Sequence, residues 1–126
     1  MLPFSISLRA GLPIHDQVVY AVTRAIVTGQ LAPGDAFPSV RALSQELGIN
    51  PNTAHKIVAT LTGEGLLAVR PGVGTVISAA ATGGRQAMPD EDIERLVIQV
   101  RRAGLTLQDL LAAVRRHWTS SRPKSD

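Results

Sequence analysis

A short run of polar residues in the middle of the chain carries side chains suited to specific hydrogen bonding. Asn50, Asn52 and Thr53 are short donors and acceptors, and His55 and Lys56 follow within one helical turn. Side chains of this kind hydrogen-bond to the edges of nucleic-acid bases when a helix presents them. The simpler alternatives are a helix cap for Asn50, first-turn solvation for Asn52 and Thr53, and a solvated charge for Lys56.

Basic and glycine residues on either side of this run could add contacts to phosphate groups. Arg41 and Arg70 can contact phosphates, and the Arg41 guanidinium can also form a bidentate contact with guanine. Gly72 and Gly74 would let the backbone approach a phosphate closely. The alternatives are a surface ion pair of Arg41 with Glu46 or another neighbour, and an ordinary hairpin turn at the glycines.

No arrangement of residues indicates an enzyme or a metal site. His15, His55 and His117 lie on three different predicted helices without metal-ligand spacing, and the chain has no cysteine. His15 and Asp16 are adjacent, so we expect them to point apart on a helix. No glycine-rich phosphate-binding loop ending in Lys-Ser/Thr is present, and we predict no cofactor.

The composition is typical of one globular domain with an appendage. The 126 residues are 44% hydrophobic and include 13 Lys+Arg against 10 Asp+Glu, a net charge of +3. This small excess does not by itself indicate nucleic-acid binding, because the positions of the basic residues matter more. No apolar run approaches the ~18 residues of a membrane span, so we expect no membrane partner and a cytoplasmic location.

Three helices are predicted to position the polar and basic residues. Apolar residues at three- and four-residue steps predict a first helix from Ile14 to Thr28. A second helix is predicted from Val40 to Leu47, with Ser39 as its N-cap. After a tight turn, Asn50 and Pro51 begin a third helix that should reach Glu64.

A hairpin is predicted to follow the third helix. Its strands run from Leu66 to Arg70 and from Thr75 to Ser78, joined by a four-residue loop. The resulting order is that of a helix-turn-helix with a β-wing. The third helix would then fit the major groove of double-stranded DNA, and the low aromatic content argues against single-strand binding.

The last third of the chain is predicted to form two amphipathic helices. Residues 1–78 form the first domain, residues 79–89 are a linker of small residues, and residues 90–126 form a helical tail. Gly104 separates the two tail helices, Thr106 and Asp109 have capping-box spacing, and residues 119–126 are expected to fray.

The apolar stripes of the tail exceed what two helices can bury, so we predict that the tail forms a homodimer. The predicted dimerisation residues are Ile93, Leu96, Val97, Val100, Leu107, Leu110, Leu111, Val114 and Trp118. The alternative is that the tail only folds back on its own winged domain. We assign Phe37 and Trp118 to core or dimer packing.

Six separated motifs occur in a fixed order between residues 13 and 78. They are Pro13-Ile14-His15-Asp16-Gln17, Ile26 to Asp35 with Gly29, Leu31 and Pro33-Gly34, Phe37-Pro38-Ser39-Val40-Arg41-Ala42-Leu43, Asn50-Pro51-Asn52-Thr53, Leu61 to Leu67 with Glu64-Gly65-Leu66, and Gly72-Val73-Gly74-Thr75. Together they resemble the winged-helix domain of the GntR family of bacterial transcription regulators. The Asn-Pro-Asn-Thr motif and the short tail resemble its YtrA-like subgroup, which lacks the large effector domain of its relatives.

The resemblance implies a role at DNA for each matching position. It places the family's Pro-Ser-x-Arg arginine at Arg41, the start of the recognition helix at residues 50–56 and the wing at residues 72–75. Phe37, Ser44 and the Ile57-Val58 pair depart from the usual pattern and look like core variations. The predicted DNA-binding residues are Ser39, Arg41, Asn50, Asn52, Thr53, His55, Lys56, Arg70, Gly72, Gly74 and Thr75.

These inferences predict a mainly helical, homodimeric repressor that binds a palindromic double-stranded operator. The subgroup resemblance implies a transporter operon as its target. Two other functions are compatible with the sequence, a protein-interaction module and an architectural DNA binder without sequence preference. A small-molecule effector is unknown, and its site would be expected in the tail or at the domain junction.

Overall fold

The computed structural model describes residues 2–81 and 87–121, which contain five helices and one two-stranded sheet. The elements are α1 (Ile14–Val27), α2 (Val40–Leu47), α3 (Pro51–Gly63), β1 (Leu67–Arg70), β2 (Gly74–Ile77), α4 (Asp90–Arg102) and α5 (Leu107–Ser120). They divide into two compact units, the first with residues 2–81 and the second with residues 87–121. The predicted class, mainly helical with a small β-hairpin, is confirmed.

Helix α1 contributes one apolar stripe to the core of the first unit. The buried residues of this stripe are Val18, Val22, Ala25 and Ile26. Their spacing of three and four residues places them on one face of the helix. The helix ends at Val27, one residue before its predicted end, because the Thr28 backbone has ψ near 0° and Gly29 continues with φ of 82°.

Local hydrogen bonds set the ends of α2 and the start of α3. The Ser39 hydroxyl oxygen accepts a hydrogen bond from the Ala42 N–H at 3.1 Å, as expected of an N-cap. The Asn50 Oδ1 atom caps α3 by accepting from the Asn52 N–H at 2.8 Å. Gly48 ends α2 in the left-handed conformation with φ of 65°, which glycine adopts without strain.

Ser44 closes the turn between α2 and α3. Its buried hydroxyl donates to the Ile49 carbonyl at 2.7 Å, and the Ile49 N–H donates to the Ser44 carbonyl at 3.1 Å. The serine is therefore more than a core variation, because its side chain fixes the turn that orients α3. At its other end α3 stops at Gly63, and Glu64, the predicted last residue, is its C-cap.

The wing is an antiparallel hairpin in which β1 begins one residue later than predicted and β2 lies one residue earlier than predicted. Arg70 pairs with Gly74, so the loop contains three residues, 71–73, rather than four. Leu66 and Ser78 lie just outside the strands, although the Ser78 N–H donates to the Leu66 carbonyl at 2.9 Å. Because glycine is common in turns, the sequence places Gly74 in the loop. In the structure Gly74 pairs with Arg70 across the hairpin and therefore belongs to β2.

The segment before α1 is part of the core, which sequence analysis did not detect. Phe4 is only 4% exposed, and its ring stacks on that of Phe37 with centroids 5.9 Å apart and planes 1° apart. Phe37 lies in the core, one of the two locations predicted for it. Its N–H donates to the Thr75 carbonyl of β2 at 2.9 Å. The N-terminal segment therefore packs against Phe37, which precedes α2 and is hydrogen-bonded to the wing.

Replacing Phe4 with alanine is expected to destabilise the first unit by about 3 kcal/mol, because it leaves a cavity against Phe37. Urea unfolding followed by circular dichroism measures this change. Leu8→Ala is the matched control, since Leu8 is exposed in the same segment and its loss should cost less than about 0.5 kcal/mol. Equal effects from the two substitutions would contradict the packing role of Phe4.

One hydrophobic core joins the elements of the first unit and sets their mutual orientation. Leu43 of α2, Ile57 of α3 and Ile77 of β2 are each buried in it together with the stripe of α1. Close packing of these side chains holds α3 and the wing in fixed positions relative to each other. The surface that α3 and the wing present is thus a rigid one.

Helices α4 and α5 of the second unit expose most of their apolar residues. Neither helix has a buried residue, and both border an open, largely apolar groove of about 540 Å³. Helix α4 begins at Asp90 with three acidic residues in its first turn, which the helix dipole favours. Thr119 and Ser120, predicted to fray, are the last residues of α5, and residues 122–126 lie outside the described part of the chain.

Thr106 and Asp109 form the predicted capping box at the start of α5. The Thr106 N–H donates to Asp109 Oδ2 at 2.8 Å, and the Asp109 N–H donates to Thr106 Oγ1 at 3.1 Å. The backbone hydrogen bond from Thr106, followed by the one with its side chain, lowers the pKa of Asp109 below its ordinary value of 3.8.

Helix α5 is expected to lose stability as the pH falls through the lowered pKa of Asp109. A carboxyl group whose pKa is lower when folded stabilises the fold above its unfolded pKa and loses this effect below the folded one. Asp109→Asn should therefore flatten part of the acid dependence of helicity, measured by circular dichroism. Glu94→Gln, which removes a carboxylate from α4, is the control. An unchanged acid profile for Asp109→Asn would contradict the expectation.

Candidate nucleic-acid interface

The start of α3 presents a polar face on the outside of the first unit. Asn50, Asn52, His55 and Lys56 are exposed and Thr53 is half-buried. The opposite face of the helix is buried in the core through Ala54, Ile57 and Leu61. The structure thus brings together all five residues that the sequence singled out here, on the one side of α3 that the core leaves free.

Two residues of the predicted set use a side-chain oxygen to cap a helix. Asn50 Oδ1 and the Ser39 hydroxyl are engaged in this way, so the capping alternative for Asn50 is correct for that atom. Its amide nitrogen remains available as a donor. Within the described residues, the side chains of Asn52, Thr53 and His55 make no hydrogen bond and are free to meet a ligand.

Three exposed cations flank this polar face. Arg41 lies in the first turn of α2, Lys56 on α3 and Arg70 at the end of β1. None of them has an acidic partner within 4.0 Å among the described residues, and the alternative Arg41–Glu46 ion pair is not formed. Therefore no acidic side chain in the described part of the chain neutralises these three charges by an ion pair.

The tip of the wing is exposed to solvent. Gly72 and Gly74 have φ of 77° and 111°, and an added Cβ atom at either would meet open space. Only their backbone conformation therefore restricts substitution. Val69 and Val73 are 74% and 65% exposed, and the sequence analysis missed them. Thr75, also in the predicted set, is half-buried in β2.

His15 connects α1 to the second half of α3. Its Nε2 atom lies 2.8 Å from Thr60 Oγ1, and its Nδ1 atom lies 3.1 Å from Asp16 Oδ1. The expectation that His15 and Asp16 point apart is wrong, because the half-exposed ring turns toward Thr60 and leaves Nδ1 within reach of the adjacent carboxylate. This contact positions the second half of α3 and was not indicated by any motif.

The predicted dimerisation residues form an exposed apolar surface on the second unit. Val97, Val100 and Leu110 are half-buried, and the other six residues of the set are exposed. Trp118 is 76% exposed, so it does not belong to a core of this chain. Such a large apolar surface is unusual for a chain that stays alone in water.

Residues 2–81 and 87–121 contain no group of three or more His, Asp or Glu side chains placed to hold a metal ion. In the same ranges, no helix is both long and apolar enough to cross a membrane.

Two helices joined by a tight turn, followed by a hairpin wing, define a winged helix-turn-helix, the class of domain with which many transcription regulators bind DNA. The sequence profile of "Bacterial regulatory proteins, gntR family" matches residues 14–77. The chain belongs to the GntR family of DNA-binding transcription regulators and is not an enzyme.

Two relatives from Bacillus subtilis resemble this chain over most of its length. The HTH-type transcriptional repressor YtrA is 34% identical over 106 residues, which cover 81% of this chain and 82% of YtrA. The uncharacterized HTH-type transcriptional regulator YhcF is 31% identical over 110 residues, 85% of this chain and 91% of YhcF. These matches extend beyond the winged domain into the tail, and they confirm the YtrA-like resemblance.

A solved structure shares the whole architecture. The transcriptional antiterminator from Listeria monocytogenes EGD-e superimposes with a TM-score of 0.80, covering 98% of this chain and 95% of that one. The sequences are 20% identical, so this likeness concerns the fold. It includes the two C-terminal helices as well as the winged domain.

Proposed function

We propose that this protein is a repressor that binds a palindromic double-stranded operator as a homodimer in the cytoplasm. Residues 1–78 are the DNA-binding domain, residues 79–89 a linker and residues 90–126 the dimerisation tail. The repressor role is supported by similarity to the B. subtilis protein that is named a transcriptional repressor. The YtrA-like resemblance also favours a transporter operon as the target.

The observation that carries the proposal is the exposed start of α3. Asn52, Thr53 and His55 point free donors and acceptors away from the core, and they can reach base edges when α3 lies in the major groove. We propose that these three side chains, with the Asn50 amide nitrogen, read the sequence. No other exposed helix start in the first unit has such a group of unbonded polar side chains among the described residues.

Cations and wing backbone supply the contacts that hold the domain on the duplex. Arg41, Lys56 and Arg70 have no acidic partner among the described residues, so binding phosphates breaks no ion pair. Gly72 and Gly74 bring the wing backbone close to the sugar–phosphate chain. Ser39 and Thr75 flank these groups at the start of α2 and in β2, and we include them among the phosphate contacts.

The tail pairs two such domains in this proposal. Burial of the exposed apolar side chains of α4 and α5 against a second copy removes them from water. Two recognition helices held about 34 Å apart, one turn of DNA, then read two inverted half-sites. Pairing α4 and α5 with the same two helices of a second copy would also account for the absence of buried residues in these helices of a single chain.

Selection of bound sequences from random double-stranded DNA tests the proposal. We expect an inverted repeat with half-sites about 10 base pairs apart. Binding to the selected site should weaken steeply with salt, with a slope of log K against log [salt] of about −5 if three cations per protomer contact phosphates.

Two results would contradict the proposal. Recovery of no preferred sequence, with equal binding to scrambled DNA, would indicate an architectural binder. No steep fall of DNA affinity with salt, or no measurable DNA binding even at low salt, would indicate a protein-interaction module.

A further inference from the structure

A second recess lies on the outer face of α1, away from the residues proposed to contact DNA. It is an open groove of about 550 Å³ between the N-terminal segment, residues 5–12, and the exposed side of α1. None of its lining residues belongs to α2, α3 or the wing. Occupation of the groove therefore does not compete directly for the proposed DNA-binding residues.

Gln17 holds the two walls of this groove together. Its Oε1 atom accepts from the Arg9 N–H at 2.7 Å, while its Nε2 atom donates to the Arg9 carbonyl at 3.0 Å and to the Leu12 carbonyl at 3.1 Å. Three hydrogen bonds from one side chain fix the segment against the helix. Farther along the segment, Phe4 is anchored in the core. The groove is thus formed before any ligand arrives.

The charged groups of the groove favour an anion. Arg9 and Arg24 both line it, and neither guanidinium has an acidic partner within 4.0 Å among the described residues. Asp16 lines it too, but this carboxylate already lies 3.1 Å from His15 Nδ1. Two cations against one carboxylate leave a net positive charge in the groove. Each guanidinium group can bind carboxylate or phosphate oxygens by forked hydrogen bonds.

The remaining lining is apolar and aromatic. Ile6, Leu12 and Ala21 provide aliphatic surface, and Tyr20 presents an exposed ring beside it. A ligand that fits must therefore combine a charged group with a flat hydrophobic body. We propose that this groove binds a small aromatic anion, an aryl carboxylate or aryl phosphate, and that Arg9 and Arg24 hold its charged end. This groove differs from the tail and the domain junction, where the sequence predicts any effector site.

Titration of the full-length ¹⁵N-labelled chain with phenyl phosphate and with benzoate, without DNA, tests the proposal by NMR. We expect saturable amide shifts concentrated in residues 5–12 and in residues 16–24 of α1. Arg9→Ala and Arg24→Ala should each weaken binding about ten-fold or more, the loss typical of a charged hydrogen bond. Arg116→Ala, which removes an exposed arginine from α5, should leave the affinity unchanged.

Two further ligands measure the contributions of the charged group and of the aromatic ring to the affinity separately. Phenol, which lacks the charge, and inorganic phosphate, which lacks the ring, should each bind at least ten-fold more weakly than phenyl phosphate. No saturable shift in this groove with either aromatic anion would overturn the proposal, as would equal loss of affinity in the Arg116→Ala variant. The test requires no DNA binding, so its failure is distinct from a failure of the proposed operator recognition.

Discussion

Replacing Arg41 with alanine should reduce operator affinity at least ten-fold without unfolding the protein. The guanidinium is exposed and has no hydrogen bond or ion pair among the described residues, so its loss should change the free energy of unfolding by less than about 0.5 kcal/mol. An arginine contact with a base or phosphate contributes about 1–3 kcal/mol, and a symmetric dimer loses two of them. Gel-shift titration and urea unfolding measure the two quantities.

Two further variants sharpen this expectation for Arg41. Arg116→Ala removes an exposed arginine from α5 and should leave operator affinity within about two-fold of the original. Arg41→Lys keeps the charge but lacks the guanidinium fork, so it should restore affinity only if Arg41 contacts a phosphate rather than guanine. Unchanged operator affinity for Arg41→Ala would remove Arg41 from the proposed interface.

Placing a charge on the apolar surface of the tail should convert the protein to a monomer. Leu111 lies on the exposed stripe of α5, and Leu111→Glu would place a carboxylate in the proposed dimer interface, where burying it without a partner is costly. Operator affinity should then fall by about 100-fold or more, because each domain binds its half-site alone. Light scattering and gel-shift titration measure the mass and the affinity.

Ala112→Glu is the matched control for the tail. It adds the same charge at the neighbouring exposed position, away from the apolar stripe, and should leave the protein dimeric. Shortening the chain to end near Ser78 should likewise give a monomer, provided that circular dichroism shows a folded winged domain. A dimer that persists both in Leu111→Glu and in the shortened chain would show that the tail is not the interface.

The capped starts of α2, α3 and α5 follow directly from the sequence. Ser39, Asn50 and the pair of Thr106 and Asp109 each cap a helix through hydrogen bonds that span only two or three residues. Such contacts depend on the local order of residue types, so a sequence pattern contains all the information they need. The same holds for the left-handed glycine that ends α2, at Gly48.

The sequence predicts which residues lie on the candidate DNA-binding surface, but it does not predict which of their charges form ion pairs. The position of Arg41 one residue into α2 follows from the Ser39 cap. Whether its guanidinium pairs with Glu46 or stays open depends on side-chain directions in the folded chain, and the structure leaves Arg41 open. The groove beside α1 was not predictable, since it depends on Gln17 contacts to a segment without regular structure.

The sequence alone determined the helices, their caps and the winged helix-turn-helix order, because periodic apolar stripes and turn residues act over a few positions. Only the tertiary structure decided how distant segments meet. Contacts of this kind are the stacking of Phe4 on Phe37, the hydrogen bond between His15 and Thr60, and the register of the wing. They join residues between 4 and 45 positions apart in the chain, and such contacts are selected by shape and burial in the common core rather than by any local pattern.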